Sequence, residues 1–422
     1  MNRPSSRPLF RVVGASLLAL GAAGCGGEAF IVQPSGGPDW SRGLVAGESS
    51  LNNPVPILVD GEGATLAWID LERTVRLARV DGGGRIAWTR EVALGTPFPH
   101  HPALHVSPDG TMAFFWRSAQ NGKERLYHLR LDRGGRPLTQ PAQISDPSSD
   151  LQEVRIVESA QGLEVFWASA SSIDRGIRHL GLNHDGSVRS PSRKLESDGF
   201  SPQAVWDGEG TIHLTWWAGG EEGARELRYG AFDLATNALG PTVALAPVTY
   251  QLWQRPEGPS IGLEPDWVTV FWSLESLGSA FPASTVFYVR FPSRSPQAVE
   301  PQSIWLPRHS EPEYRPMPGG LGYRNLADPA AAAFGTNYIG VPQPLRAGGD
   351  RVVTAQEILL HAGSQIQQQI ALTAFGSGEL VGYQIISAGP GASLQPNLAL
   401  DGSGELHASW LETAGFGRYH VL

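Results

Sequence analysis

Residues 102–116 read PALHVSPDGTMAFFW. A short apolar run, Pro102–Val106, leads into Asp109-Gly110, a pair that supplies the positive φ of a tight hairpin turn. Beyond the turn, Met112, Phe114 and Trp116 fall in phase at every second residue, which is the mark of a half-buried strand. The unit recurs. Strands ending in Trp are ATLAW at Trp68, LEVFW at Trp167, TIHLTW at Trp216, WVTVFW at Trp272 and ELHASW at Trp410. Their successive spacing is about 50 residues through Trp272. RVVTAQ, Arg351–Gln356, keeps the pattern with Gln in place of Trp and arrives about 30 residues later than the period allows.

The same strand-and-turn prelude stands before other copies, as PILVDGEG at 56–63, PQAVWDGEG at 202–210 and PNLALDGSG at 396–404. A third strand follows, as in ERLYHLRLD at 124–132, then a glycine turn such as DGGG from Asp81, then a fourth strand such as IAWTREVAL at 86–94. Four antiparallel strands per repeat make one propeller blade. The last unit reaches only its third strand at Leu422. The segment PDWSRGLVAGESSLNNPVPILVDGEG from Pro38 parallels IAWTREVALGTPFPHHPALHVSPDG from Ile86. A strand over Trp40–Ala46 is therefore expected to complete the last blade and remove the open edges.

On these repeats the chain resembles the seven-bladed β-propellers over residues 40–422, and its repeat is similar to those of secreted bacterial propellers of unknown role. The resemblance implies an all-β fold of four-stranded antiparallel blades. Neither a Trp-Asp blade signature nor a DxDxDG loop occurs. SPDGTMAFFW from Ser107 resembles in part the Asp-box turn of sialidases.

Composition narrows the classes. The 422 residues hold 51 Gly, 33 Pro, 13 Trp and a single cysteine, Cys25, with a net charge of −9. One cysteine excludes an intramolecular disulfide framework, a cysteine-based zinc site and an iron-sulfur cluster. At the N-terminus, Arg3, Arg7 and Arg11 precede the apolar run Val12–Gly24. Thirteen helical residues rise only about 20 Å, too short for a hydrocarbon core of about 30 Å, so the run reads as the core of an export signal.

LLALGAAGC, ending at Cys25, resembles a bacterial lipoprotein signal, which implies cleavage after residue 24 and acylation of Cys25. Several acyl chains would anchor the protein stably. Gly26 after the cysteine implies the outer membrane under the enterobacterial sorting pattern. The expected organisation is a signal peptide over 1–24, a Gly/Pro tether over 25–39 and a propeller over 40–422, with an insertion at 310–342. Loss of the three signal arginines leaves roughly −12, a charge that argues against nucleic acid as a partner.

The repeat tryptophans read as packing between blades, with Trp40, Trp88 and Trp305 placed structurally on fourth strands. Trp206, Trp217, Trp253 and Trp267 stand outside the pattern. TYQLWQRPEG, Thr249–Gly258, falls in an inter-blade connection, where Tyr250, Trp253 and Arg255 form a candidate surface for a sugar ring or a protein partner. The insertion adds Glu311, Glu313, Tyr314, Arg315, Tyr323 and Arg324 as candidate binding residues.

Catalytic constellations are thin. The pairs Asp70 with Glu72 and Glu221 with Glu222 have the chemistry of glycosidase carboxylates, and Arg73, Arg117, Arg255 and Tyr314 that of a sialidase-like site. No HxH or HExxH spacing supports a metal near His100 and His101, and no cofactor motif occurs. The sequence thus implies a monomeric, membrane-anchored binding or scaffold propeller without cofactor or metal, facing an envelope protein or a surface glycan. Its alternative is a glycan-active hydrolase or lyase with a site at the channel mouth.

Overall fold

The computed structural model describes residues 45–303 and 338–422, apart from breaks at 51–52, 71, 73, 147–149, 170–174, 220–223, 251–253, 277–283, 347–350, 363–364, 377–378, 388–390, 403, 405 and 416. No helix occurs among the described residues. Alternating apolar runs punctuated by Asp-Gly turns fold as antiparallel strands in seven blades. Blade 1 is Ile57–Asp60, Gly63–Ile69, Val75–Asp81 and Ile86–Val92. Blade 2 begins at Pro99–Val106, blade 3 at Leu151–Ser159, blade 4 at Phe200–Trp206, blade 5 at Gln254–Leu263, blade 6 at Tyr338–Arg346 and blade 7 at Ser393–Leu400. Blade 4 carries two pieces, Ala238–Leu239 and Val243–Thr249, against its third strand. A single bridge, Ser284 to Tyr338, links blades 5 and 6.

Among the described residues the closing strand falls just past the expected Trp40–Ala46, of which only Val45 and Ala46 are described. Gly47–Ser49 pairs with Arg418–Val421, with Ala46 N donating to Val421 O just ahead of it; Trp40 lies outside the described residues. A strand ends where its partner does, and the partner here is only four residues long. Of the expected insertion, Tyr338–Pro342 belong to the first strand of blade 6, and the rest lies outside the described residues, with Trp305. RVVTAQ opens the second strand of that blade, Arg351–Ala362.

Side-chain alternation builds the core between blades. Phe114 and Trp116 face blade 1, where they meet Ala67, Ile69 and Leu77. Ala113 and Phe115, in the opposite phase, face Trp167 of blade 3. Trp68, Trp216, Trp272 and Trp410 likewise pack in clusters shared with the preceding blade. Gln356 holds the corresponding place in blade 6 and is also buried. Trp217, outside the repeat phase, is fully buried on the other side of its strand and meets Trp272 edge-on at 6.5 Å. Trp267 lies under the Arg290 guanidinium, 3.9 Å from its ring centroid.

Blade 3 also buries charge. Glu164 and His179, both fully buried, meet at 2.8 Å, and Arg189 binds the other Glu164 oxygen. Burial pushes the Glu164 carboxyl up, but the bonds from His179 and Arg189 outweigh it and hold the group below its ordinary range.

Candidate functional site

First strands of neighbouring blades touch one another at six of the seven junctions, so their inward side chains face the central channel of a propeller. Their N-terminal ends share one face with the turns between second and third strands, as the register of Gln254 with Ser276 and of Glu275 with Ser284 requires. On that face the first strands share an irregularity. The ladder shifts at His100/Ala103, Gln152/Arg155, Phe200/Gln203, Glu257/Ser260 and Leu394/Asn397. Inside each shift sits a left-handed residue: His101, Glu153, Ser201, Gly258 and Gln395, with φ of 49°, 50°, 53°, 92° and 53°. Such bulges re-aim side chains at barrel rims and sites. Here they turn one residue in each of five blades at the channel mouth.

Blade 2 brings His100, His101 and Arg117 together. Arg117 Nη2 donates to His101 Nδ1 at 2.8 Å, and His100 Nε2 lies 3.0 Å from Glu124 Oε2. His101 is open to channel water, yet protein crowds it. That crowding, then the charges of Arg117 and His100, holds its imidazole down to about 3. With Nδ1 accepting from Arg117, the neutral ring carries its proton on Nε2.

Deeper in the channel, Arg155 of blade 3 stands without a carboxylate. Its described polar contact is Nε to Ala204 O at 3.5 Å, and burial alone lowers its pKa. His105, of blade 2, is held down to about 4 by burial and then by the Arg155 charge. The residue is exposed at its surface, so water still reaches the guanidinium, and no carboxylate pairs with it among the described residues.

The opposite arc of the mouth is acidic and internally paired. Arg255 lies on the first strand of blade 5 and not in the inter-blade connection; it binds Glu257 and, at 2.8 Å, Glu275. Burial pushes the Glu257 carboxyl up against the pull of Arg255. Arg225 of blade 4 lies over Phe200 at 4.5 Å and within 5.7 Å of the Tyr250 ring. Glu357, raised by burial, accepts from Gln395 N at 2.8 Å.

The other candidates fall as follows. Tyr250 and Arg255 are both at this mouth, engaged as described; Trp253 lies outside the described residues. So do Cys25, Glu311, Glu313, Tyr314, Arg315, Tyr323, Arg324, Arg73, Glu221 and Glu222. Asp70 does not pair with Glu72 for chemistry: its carboxylate takes the backbone N–H groups of Glu72 and Thr74 and binds Arg76 at 2.7 Å, which makes it a turn residue. No group of three metal-ligating side chains occurs among the described residues. Sequence reading passed over Arg155, His105 and Glu153. None of the three precedes a proline, whereas the bulge itself is marked in four blades by the residue before Pro in HHP, FSP, EGP and LQP.

No family model matches the chain, and no curated protein matches it. Among solved structures, polysaccharide lyase Uly1 is similar over 93% of both chains, with a TM-score of 0.52 and 12% identity. A protein of unknown function from Dyadobacter fermentans matches 76% of this chain and 93% of its own at a TM-score of 0.46 and 12% identity. The PQQ-bound aldose sugar dehydrogenase of Streptomyces coelicolor matches 77% of this chain and 95% of its own at 0.41 and 15%. At these identities the likeness to the lyase supports the propeller fold and no more.

Proposed function

We propose that this protein is a lipid-anchored propeller of the bacterial outer membrane, monomeric and without cofactor, that captures an acidic glycan at its channel mouth. The observation that carries the reading is Arg155, a channel guanidinium with no carboxylate partner among the described residues. A uronate carboxylate would supply the missing charge through charge-assisted hydrogen bonds, while neutral His101 and the backbone at the bulges offer donors to hydroxyls. Anchoring rests on the lipoprotein-like LLALGAAGC ending at Cys25.

The test is calorimetric titration with an oligogalacturonate and with a neutral oligosaccharide of equal length. The reading expects saturable binding of the acidic ligand, weakened at least tenfold in Arg155→Gln and partly restored in Arg155→Lys. Equal affinity of wild type and Arg155→Gln would overturn it. For the anchor, Cys25→Ser should move the protein from the membrane to the soluble fraction; wild-type fractionation of that variant would remove the lipid from the reading.

A second reading, a glycan lyase, draws on one feature of the mouth. His101, kept neutral beside Arg117, combines a group able to exchange a proton with one able to neutralise a substrate carboxylate. Rising ultraviolet absorbance of an unsaturated uronate on incubation with acidic polysaccharide would select this reading over simple capture.

A further inference from the structure

At the opposite end of the strands a cavity of about 310 Å³ opens between blades 1 and 2. It lies at the lower end of the roughly 300–1,000 Å³ range of ligand pockets. Its floor is aliphatic, from Leu58 and Met112, and Trp88 of the fourth strand of blade 1 forms part of its wall. Trp88 was expected to be purely structural. It is half-buried, and Val106 in the same lining is 40% exposed and leaves apolar surface there.

The polar groups of this cavity are fixed but not exhausted. Arg79 binds Asp60 and donates to Thr65 Oγ1 at 3.1 Å. Asp60 Oδ1 takes both that guanidinium and the Glu62 N–H, the Gly63 N–H adds to the pull on the carboxylate, and the side chain stays more than half exposed to a ligand. Arg133 is held through Nε to Gly110 O at 3.3 Å, which leaves its terminal nitrogens as donors. A carboxylate acceptor and guanidinium donors beside an indole suit a ring that is apolar on its face and hydroxylated on its edge. A purely apolar ligand would strip water from Asp60 and Arg79 without replacing their bonds. Glu62 and Asp81 join Asp60 against only two guanidiniums, so the wall carries a negative balance that disfavours an anion.

We propose that this inter-blade cavity is a second saccharide site, taking a neutral mono- or disaccharide stacked on Trp88 and hydrogen-bonded to Asp60 and Arg133. It is independent of the channel mouth in position and opposite to it in charge preference.

The experiment titrates the full-length protein in detergent with lactose, maltose and cellobiose in turn. At least one should bind saturably, and both Trp88→Leu and Asp60→Asn should weaken it at least tenfold, with Trp88→Phe intermediate. Thermal midpoints verify folding, and Asp60→Asn, at an exposed side chain, serves if Trp88→Leu unfolds. Arg155→Gln should leave neutral-sugar binding unchanged, and Trp88→Leu should leave oligogalacturonate binding unchanged, so the two sites fail separately. Absence of saturable binding by all three sugars, or wild-type affinity in Asp60→Asn, would overturn the proposal.

Discussion

Trp68 donates its indole N–H to the carbonyl oxygen of Glu48, 3.0 Å away, and so ties the second strand of blade 1 to the strand that completes blade 7. Glu48 is held from the other side by Arg418 at 2.6 Å. Beside it, a Cβ on Gly47 would fall 2.3 Å from Trp68 Cζ2, inside van der Waals contact. Gly47→Val is therefore expected to lower stability by about 1–3 kcal/mol through overpacking at the seam. Thermal and urea unfolding check it; an unchanged midpoint would show that the indole gives way freely.

Truncating Glu164 should be among the costliest single changes. Glu164→Ala leaves fully buried His179 without its acceptor and Arg189 without its partner carboxylate. Breaking a buried ion pair from one side costs about 3–5 kcal/mol. Urea denaturation of the variant measures the loss, and a cost under about 1 kcal/mol would contradict the burial argument.

Acid should destabilise the fold through its histidines. His128, buried against Phe115, is held down to about 4 by burial, then by the Arg130 charge, against a weaker pull from Asp185. An unfolded histidine titrates near 6.5, so between about 4 and 6.5 the unfolded chain binds more protons and stability rises with pH. The contribution is complete above that window and lost as pH falls through it. For His128 alone the loss between pH 7 and 5 is on the order of 1–2 kcal/mol. The raised carboxyls of Glu158, Glu257 and Glu357 act with the opposite sign, favouring the folded state on acidification. The His128→Gln variant separates the two, because its stability should fall less steeply than wild type from pH 7 to 5.

Ligand at the channel mouth should take up protons. An anion beside Arg155 screens the charge that helps hold His105 down to about 4, so the His105 pKa rises on binding. Titration with oligogalacturonate near pH 5, in buffers of different ionisation enthalpy, should show net proton uptake that disappears in His105→Gln. Affinity should also fall with added salt, since the Debye length shrinks from about 10 Å at 0.1 M to about 3 Å at 1 M.

The repeat was legible because its signal is redundant. Six tryptophans at one phase, four of them preceded by the same strand and glycine turn, overdetermine the blades, and all six are buried between blades. The seam was legible in kind but displaced along the chain, because strand pattern alone does not reveal that Arg418–Val421 offers only a short partner. The mouth was much less legible. Arg155 is one of thirty arginines, and what distinguishes it is the absence of a neighbouring charge, a property of three-dimensional placement. Trp88 shows the converse. Its strand pattern marks a packing residue, and only the gap between blades 1 and 2 gives it a second exposure.

The left-handed bulges carry a broader consequence. Glycine would adopt their backbone at no steric cost, whereas His101, Glu153, Ser201 and Gln395 hold it against an intrinsic penalty of about 1–2 kcal/mol each. Those positions lie outside the tryptophan-packed layers, so an exchange there alters what the rim displays while the blade interfaces stay intact. The ring behaves as a set of interchangeable tumblers, carried by five of its seven blades. New ligand preferences are within reach of single codon changes, and a library confined to these few positions should reprogram the mouth without touching the scaffold.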